Sequence, residues 1–191
     1  MRNIFLDCGG NIGQSIDRFK NSSLYAPDYI IYSFEPVPHL SKHYRDRKDI
    51  IFSDKAIWTN DSTLNFFIGR NHGGVGSTLM KEKWSCKPDF AHPIQVQSID
   101  FSKWIIDNFS KEDHIILKMD IEGAEYDVLE KMITDGSINY IKKAYLEFHY
   151  DRMSIKKERH FELIDKLQKI NGLELLKQLS WYVKNEQNKR V

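Results

Sequence analysis

The sequence has few cysteines and no excess of either charge. Only two of its 191 residues are cysteines, Cys8 and Cys86. A disulfide at Cys8 would be awkward inside the glycine turn around it, so we expect two reduced thiols, as in a cytosolic protein. The 28 basic and 27 acidic residues leave no broad basic field, which argues against a nucleic-acid or membrane partner.

Long apolar runs are also missing. No run approaches the roughly 18 residues of a membrane-spanning helix, and no signal peptide precedes the first apolar run. We therefore expect a cytoplasmic protein with no membrane span. Internal repeats and low-complexity segments are absent, apart from a polar C-terminal tail at residues 185–191.

The rest of the composition suits one globular domain. Hydrophobic residues make up 41% of the chain and aromatic residues 13%, which is enough to build a core at this length. We expect the domain to span residues 1–184 and to carry an inserted, glycine-bearing loop at about 69–90.

Residues 4–13, Ile-Phe-Leu-Asp-Cys-Gly-Gly-Asn-Ile-Gly, lead from an apolar run into a tight glycine turn. Such a turn lets a ligand approach the backbone closely. The dinucleotide fingerprint fails, because Asn11 and Gln14 stand where it needs glycines. The spacing is instead Asp-x-Gly-x-Asn-x-Gly, from Asp7 to Gly13. Asp7 would repel a pyrophosphate but attract a cationic amino group, which favours S-adenosylmethionine over NAD; alone, it could be an ordinary turn acid.

A second apolar run, at residues 29–34, also ends in an acid. Glu35 lies about 20 residues beyond the glycine turn, the offset at which a Rossmann-type acid reaches a ribose diol. Pro36 then removes a backbone donor and ends the strand. A solvated acid is the alternative, but two acid-ended strands at this separation favour a cofactor site.

Strand-like and helix-like runs alternate, as in a parallel sheet with helices on both faces. Strands are predicted at residues 3–8, 29–35, 50–57, 114–120 and 141–149, and helices at 13–24, 38–47, 100–109, 124–134 and 155–171. Two short runs, 173–177 and 179–184, are too close for a helical crossover, so the last strand should be antiparallel. This α/β fold, a mostly parallel Rossmann-like sheet with an antiparallel C-terminal edge hairpin, is that of class I methyltransferases.

Two of the predicted helices have apolar stripes that should face the core. Helix 124–134 carries Ala124, Val128, Leu129 and Met132 on its stripe. Helix 155–171 carries Phe161, Ile164, Leu167 and Ile170.

Residues 58–99 break the alternation. Predicted strands at Thr63–Ile68 and Ile94–Ile99 flank a loop that has four glycines between Gly69 and Leu79. Long loops of this kind in compact domains are usually functional or mobile. This one could fold over the cofactor or the substrate, or could be a surface loop without a function.

A third group of acids follows the fourth predicted strand. Asp120 ends that strand, Gly123 permits a turn, and Glu122 and Glu125 stand at the start of a helix, whose dipole they could stabilise. The strand ends on this side of an open parallel sheet form the ligand crevice. An acid that closes a buried strand must be paired or must serve a ligand, so Asp120 is the stronger functional candidate.

Glu147 and His149 end the fifth predicted strand. They are two residues apart, so both side chains should leave the same face, beside Asp120. Such a trio can orient and deprotonate a hydroxyl. It could also be a structural hydrogen-bonded cluster, or could hold a divalent metal through Asp120, Glu147 and His149.

Together these motifs resemble the FkbM family of S-adenosylmethionine-dependent methyltransferases. The resemblance runs from residue 4 to about 150 and rests on Asp7-Cys-Gly-Gly-Asn-Ile-Gly13, Phe34-Glu-Pro36, Asp54-Lys-Ala56, Gly76-Ser-Thr-Leu79, Lys118-Met-Asp-Ile-Glu-Gly-Ala-Glu125 and Leu146-Glu-Phe-His149. It implies O-methyl transfer from S-adenosylmethionine, with S-adenosylhomocysteine as product, to a hydroxyl of a sugar, glycan or secondary metabolite.

The resemblance also implies roles for individual residues. The cofactor would be bound by Asp7, Gly9, Gly10, Asn11, Gly13, Glu35, Pro36, Asp54, Lys55, Ala56 and Asp120. The acceptor would be faced by the catalytic residues Asp120, Glu122, Glu147 and His149. No helical extension precedes the first strand, unlike in many relatives, so an element that covers the acceptor could be missing or could come from a partner subunit in a homo-oligomer.

Two other hypotheses for the function stay open. One is a nicotinamide-dependent oxidoreductase on a Rossmann-like fold, and the other is a catalytically silent module that binds S-adenosylmethionine. A nucleic-acid methyltransferase is disfavoured, because no Asn-Pro-Pro-Tyr-like element occurs and the charge is balanced.

Overall fold

The computed structural model describes residues 1–70 and 74–176, in which strands and helices alternate. The strands are β1 (Asn3–Cys8), β2 (Tyr29–Phe34), β3 (Ile50–Ser53), β4 (Ala56–Trp58), β5 (Ser62–Phe66), β6 (Ile94–Asp100), β7 (His114–Met119), β8 (Ile141–Leu146) and β9 (Glu174–Leu175). The α-helices are α1 (Gln14–Lys20), α2 (Phe101–Asn108), α3 (Glu125–Asp135) and α4 (Lys157–Gln168). Short 3₁₀ segments cover Pro38–His43, Ser137–Tyr140 and Tyr150–Arg152.

Six strands form the main sheet in the order β3-β2-β1-β7-β8-β9, and every pairing in it is parallel. This is the predicted Rossmann-like α/β fold. The chain moves outward from β1 in one direction through β2 and β3, and in the other through β7 and β8. The carboxyl ends of β1 and β7 therefore meet at a topological switch point, where ligands of such sheets bind.

The core lies on both faces of this sheet. In β1, Ile4, Leu6 and Cys8 pack into one hydrophobic cluster, whereas Phe5 packs into another with Ile16 and Phe19 of α1. The alternation follows from the two-residue period of a strand. It explains why β1 is apolar at successive positions up to Asp7.

A second sheet has the order β4-β6-β5, with β4 parallel and β5 antiparallel to β6. The single predicted strand at 50–57 is therefore wrong. Exposed Asp54 and Lys55 interrupt it, and the chain leaves the main sheet after Ser53 to pair with β6. The predicted strands at Thr63–Ile68 and Ile94–Ile99 correspond to β5 and β6.

Two helix predictions also need correction. Residues 38–47 do not form the predicted α-helix. A 3₁₀ segment forms at Pro38–His43 instead, with Pro38 at its start and Leu40 as its one buried residue. In α4 the predicted stripe is displaced. Its buried residues are His160, Leu163 and Leu167, whereas Phe161 is 53% exposed.

A polar contact explains why α4 buries a different face from the predicted one. His160 Nδ1 lies 2.9 Å from the hydroxyl oxygen of Tyr126 on α3, and the His160 ring stacks on Tyr150. These contacts turn His160 toward α3. The predicted stripe of α3, in contrast, is buried throughout: Ala124, Val128, Leu129 and Met132.

The C-terminal edge of the sheet is described only in part. Within the run predicted at 173–177, β9 pairs in parallel with β8. Its predicted antiparallel partner at 179–184 and the tail at 185–191 lie outside the described residues. Among the helices of the described ranges, none is both long and apolar enough to cross a membrane.

Candidate active site

The chain turns sharply after β1 and packs against the ends of two neighbouring strands. The backbone N–H groups of Gly9 and Gly10 both donate to the carbonyl oxygen of Phe34 at 3.0 Å. Gly9 has φ +78°, and a Cβ atom there would overlap the backbone carbonyl oxygen of Asp120. Glycine therefore allows this loop to approach the end of β7.

Glu35 follows β2 and braces the same loop. One carboxylate oxygen accepts a hydrogen bond from the backbone N–H of Asn11 at 2.8 Å, and the other accepts one from Val37 at 2.9 Å. Burial raises the pKa of Glu35, although these two hydrogen bonds oppose the shift. Each oxygen keeps a second lone pair, so the carboxylate can still accept hydrogen bonds from a ligand.

Asp7 lies beneath the loop. Its carboxylate is fully buried and accepts hydrogen bonds from the Ser15 hydroxyl at 2.8 Å and the Ser33 hydroxyl at 3.2 Å. Its counter-ion is Lys118, whose Nζ lies 3.5 Å from Asp7 Oδ1. The buried charge of Asp7 is thus both paired and hydrogen-bonded.

Lys118 on β7 joins the loop to the acids. Its Nζ donates to the carbonyl oxygens of Cys8 at 3.2 Å and Gly9 at 2.6 Å, and lies 3.7 Å from Asp120 Oδ2. Burial alone would lower the pKa of Lys118, but the charges of Asp7 and Asp120 outweigh it and raise this pKa. Lys118 is therefore a fixed positive charge at the centre of the site.

Three carboxylates surround one imidazole at the ends of β7 and β8. His149 Nε2 lies 3.3 Å from Glu122 Oε2, 3.6 Å from Asp120 Oδ1 and 3.9 Å from Glu147 Oε1. The sheet order therefore brings the predicted Asp120, Glu147 and His149 together, and Glu122 joins them.

His149 is oriented from behind by Glu125. Its Nδ1 lies 3.1 Å from Glu125 Oε1, and the Glu125 carboxylate also accepts hydrogen bonds from the backbone N–H groups of Ile121 and Gly123, both at 2.8 Å. The His149 side chain is 1% exposed, and Glu125 is fully buried. Glu125 thus fixes both the turn before α3 and the imidazole ring.

The charges of this group alter its protonation. Burial would lower the pKa of His149, but the hydrogen bond with Glu125 and the nearby carboxylates outweigh it and raise this pKa. Burial, reinforced by the charge of Asp120, raises the pKa of Glu147. Both groups thus bind a proton more readily than the free side chains do.

The inserted segment covers the acids from one side. The Thr78 hydroxyl donates to the backbone carbonyl oxygen of Glu122 at 2.7 Å, and the buried ammonium of Lys83 pairs with the Glu122 carboxylate. Residues of the segment 74–79 line the same cleft as the glycine loop. The described part of the insert is therefore packed onto the site.

Comparison with known protein families places this chain. The methyltransferase FkbM domain matches residues 7–174. The chain belongs to the FkbM methyltransferase family. A solved structure of the methyltransferase FkbM from Methylobacillus flagellatus KT is similar over 70% of this chain and 30% of that one, with 16% identity and a TM-score of 0.40. No curated protein matches significantly.

The residues predicted for the FkbM site fall into two groups. A first group lines the cleft: Gly9, Gly10, Asn11, Glu35, Pro36, Ala56, Asp120, Glu122 and Glu147. A second group lies behind or outside the lining: buried Asp7 and His149, Gly13 at the start of α1, and the exposed Asp54 and Lys55.

The tightest set of possible metal ligands also differs from the predicted one. Asp120, Glu122 and His149 offer ligand atoms that all lie within 4.8 Å of one another. Glu122 thus takes the place predicted for Glu147, because the turn at Gly123 folds its carboxylate back over His149.

Sequence reasoning gave no role to two buried lysines, Lys83 and Lys118. Lys118 interrupts the apolar strand Ile-Ile-Leu-Lys-Met, and a charge at such a position signals a buried partner. Lys83 carried no comparable signal, because it lies in the charged stretch Lys81-Glu82-Lys83, where a lysine is ordinary.

Proposed function

We propose that this chain is an S-adenosylmethionine-dependent O-methyltransferase that acts on a hydroxyl of a sugar, glycan or secondary metabolite. The observation that carries the proposal is the continuity of the cleft. Its lining runs from the glycine loop and Glu35 to Asp120, Glu122 and Glu147. Membership of the FkbM family supports the same reaction.

The cofactor would lie along the first part of this lining. We expect its methionine part beside Gly9–Asn11, its ribose at Glu35 and its adenine toward Ala56. Lone pairs left on the Glu35 carboxylate suit ribose hydroxyls, which are hydrogen-bond donors. Buried Asp7, beneath the glycine turn, makes this end less suited to a pyrophosphate, which disfavours the nicotinamide alternative, whereas Glu35 would suit the ribose of either cofactor.

The methyl group would then point to the carboxylates. In the proposed step an acceptor oxygen bonds to the methyl carbon as the carbon–sulfur bond breaks, and the hydroxyl proton passes to a carboxylate. Glu147 is the best placed base, because it lines the cleft, is 32% exposed and has a raised pKa. His149 is too deeply buried to meet the acceptor itself.

The first test is calorimetric titration with S-adenosylhomocysteine. We expect binding by the wild type, strong weakening in Glu35→Ala, and no heat with NAD. The matched control is Glu162→Ala, an exposed acid on α4, which should bind like the wild type. Circular dichroism must show that Glu35→Ala is folded, because this residue also braces the loop. Absence of binding heat when the wild type is titrated with S-adenosylhomocysteine would overturn the proposal.

The second test separates a methyltransferase from a silent binding module. Glu147→Gln should retain S-adenosylhomocysteine affinity, whereas turnover with a hydroxylated acceptor should fall about 100- to 10,000-fold. Equal turnover in both proteins would exclude Glu147 as the base. Cofactor binding without turnover on any hydroxylated acceptor would favour the silent module. The cytoplasmic location and the homo-oligomer stay predictions.

A further inference from the structure

We propose that Asp120, Glu122 and His149 form a binding site for one divalent metal ion at the acceptor end of the cleft. His149 Nε2 lies 3.3 Å from Glu122 Oε2 and 3.6 Å from Asp120 Oδ1. Two ligands that each lie about 2.1 Å from a shared ion are about 3.0–3.4 Å apart. The two separations from His149 are close to this range, and all three ligand atoms lie within 4.8 Å of one another, so one ion can bind between them once the two carboxylates move closer together.

The decisive observation is the state of His149 Nε2. This nitrogen is buried and has no hydrogen-bond partner within the described ranges. Buried polar atoms in native proteins are almost always partnered, so an unpartnered one needs an explanation. Nε2 faces carboxylate oxygens of Asp120 and Glu122 but forms no hydrogen bond with either, so a cation shared by the three side chains would give this nitrogen its partner.

The other side of the ring is arranged as in metal-binding histidines. Nδ1 faces Glu125, whose carboxylate is itself held by two backbone N–H groups. A histidine that binds a metal almost always donates its second ring N–H to such a group, which fixes the ring and leaves the other nitrogen free for the ion. Glu125 is thus a positioning residue of the proposed site.

The local charge also leaves room for a divalent cation. Five carboxylates lie in or beside the site: Asp7, Asp120, Glu122, Glu125 and Glu147. The nearby cations are the ammonium of Lys83, paired with Glu122, the ammonium of Lys118, beside Asp7 and Asp120, and the guanidinium of Arg152, whose charge acts on Glu147. Lys83 does not replace the ion, because metal-binding carboxylates commonly carry a further hydrogen bond.

The donor set favours a first-row transition metal. Carboxylates suit Mg²⁺ and Mn²⁺, and an imidazole shifts the preference toward Mn²⁺, Fe²⁺ or Zn²⁺. If the proposed function holds, the ion would lie beside the acceptor hydroxyl and make its proton easier to remove. Glu147, which is not in the tightest ligand set, stays available as the base.

The test uses Mn²⁺, whose free form gives an electron paramagnetic resonance signal that disappears on binding. The whole chain is freed of metal with a chelator and titrated with MnCl₂. We expect one bound ion per chain in the wild type and in the surface control Glu162→Gln. Affinity should fall by more than tenfold in Asp120→Asn and Glu122→Gln, and about 10- to 100-fold in Glu125→Gln.

Asp120→Asn guards against a misfolding artefact, because it leaves the Lys83–Glu122 pair intact, and circular dichroism reports the fold of each variant. Absence of stoichiometric binding with Mn²⁺, Mg²⁺ or Zn²⁺ would overturn the proposal. Full affinity in both Asp120→Asn and Glu122→Gln would overturn it as well. Metal binding without S-adenosylhomocysteine binding would sustain this site while the proposed function failed.

Discussion

Lys118 Nζ donates a 2.6 Å hydrogen bond to the carbonyl oxygen of Gly9, so a side chain of β7 holds the loop that follows β1. The same ammonium is the counter-ion of buried Asp7. A single cation thus both shapes the glycine loop and offsets the charge beneath it. This dual role makes the loop dependent on a residue that lies more than a hundred positions away.

Replacing Lys118 with methionine should therefore damage both stability and ligand binding. Removing one partner of a buried ion pair costs about 3–5 kcal/mol of unfolding free energy, which lowers the Tm by about 6–20 °C at this chain length. Thermal unfolding measures the first effect, and titration with S-adenosylhomocysteine measures the second. We expect Lys118→Met to lose most of its affinity.

A double variant identifies the cause. Asp7→Asn combined with Lys118→Met removes the unpaired charge, so its Tm should lie above that of Lys118→Met alone. Lys169→Met, at an exposed lysine paired with exposed Asp165, should unfold like the wild type. A Lys118→Met protein with wild-type Tm and affinity would contradict the assigned role.

The close approach of Gly9 to Asp120 can be tested with a matched glycine. Gly9 and Gly172 have similar positive φ values of +78° and +82°, but a Cβ atom at Gly172 would meet no atom within 4 Å. Gly172→Ala should cost only the backbone strain, about 1–2 kcal/mol. Gly9→Ala adds a clash with a backbone carbonyl, which cannot rotate away.

We expect Gly9→Ala to unfold at a clearly lower temperature than Gly172→Ala and to lose S-adenosylhomocysteine affinity, whereas Gly172→Ala keeps it. Differential scanning fluorimetry and calorimetry on the two proteins provide the comparison. Equal Tm values for the two variants would show that the loop moves freely away from β7.

Local sequence patterns predicted the main sheet well, because its central strands β1, β2 and β7 are mostly apolar runs that end in polar turns. Asp120, Glu147 and His149 came together as expected, since the carboxyl ends of neighbouring parallel strands share one edge. The grouping of these three side chains was thus accessible from strand ends and sheet order, although β8 ends at Leu146, before Glu147 and His149.

Tertiary contacts decided what local patterns could not. The face of α4 is set by the contact of His160 with Tyr126, so an apolar stripe that included Phe161 misled the prediction. The break at Asp54 that sends β4 into a second sheet depends on pairing with a strand some forty residues later. The roles of Lys83 and Glu125 depend on partners that only the folded chain brings near.

The last prediction concerns acid stability and rests on Asp113. Its carboxylate accepts a hydrogen bond from the backbone N–H of Arg2 at 2.8 Å and one from the Arg2 guanidinium, Nη2, at 2.6 Å. It also accepts one from the backbone N–H of Ser110 at 3.0 Å. The Arg2 hydrogen bond is the main cause that holds the pKa of Asp113 well below its ordinary value. The contact ties the start of β1 to the turn before β7.

A depressed folded-state pKa gives stability that is present above the unfolded-state pKa, about 3.9 for aspartate, and is lost as the pH falls toward the folded-state value. Asp113→Asn should therefore lower the Tm at pH 7 by about 4–8 °C, for a loss of about 2 kcal/mol. The gap between the two proteins should narrow below about pH 4, because the unfolded wild type then binds a proton. Asp165→Asn, at an exposed pair, should show neither effect, and a Tm gap for Asp113→Asn that stays constant from pH 7 to pH 3 would rule out this ionic origin.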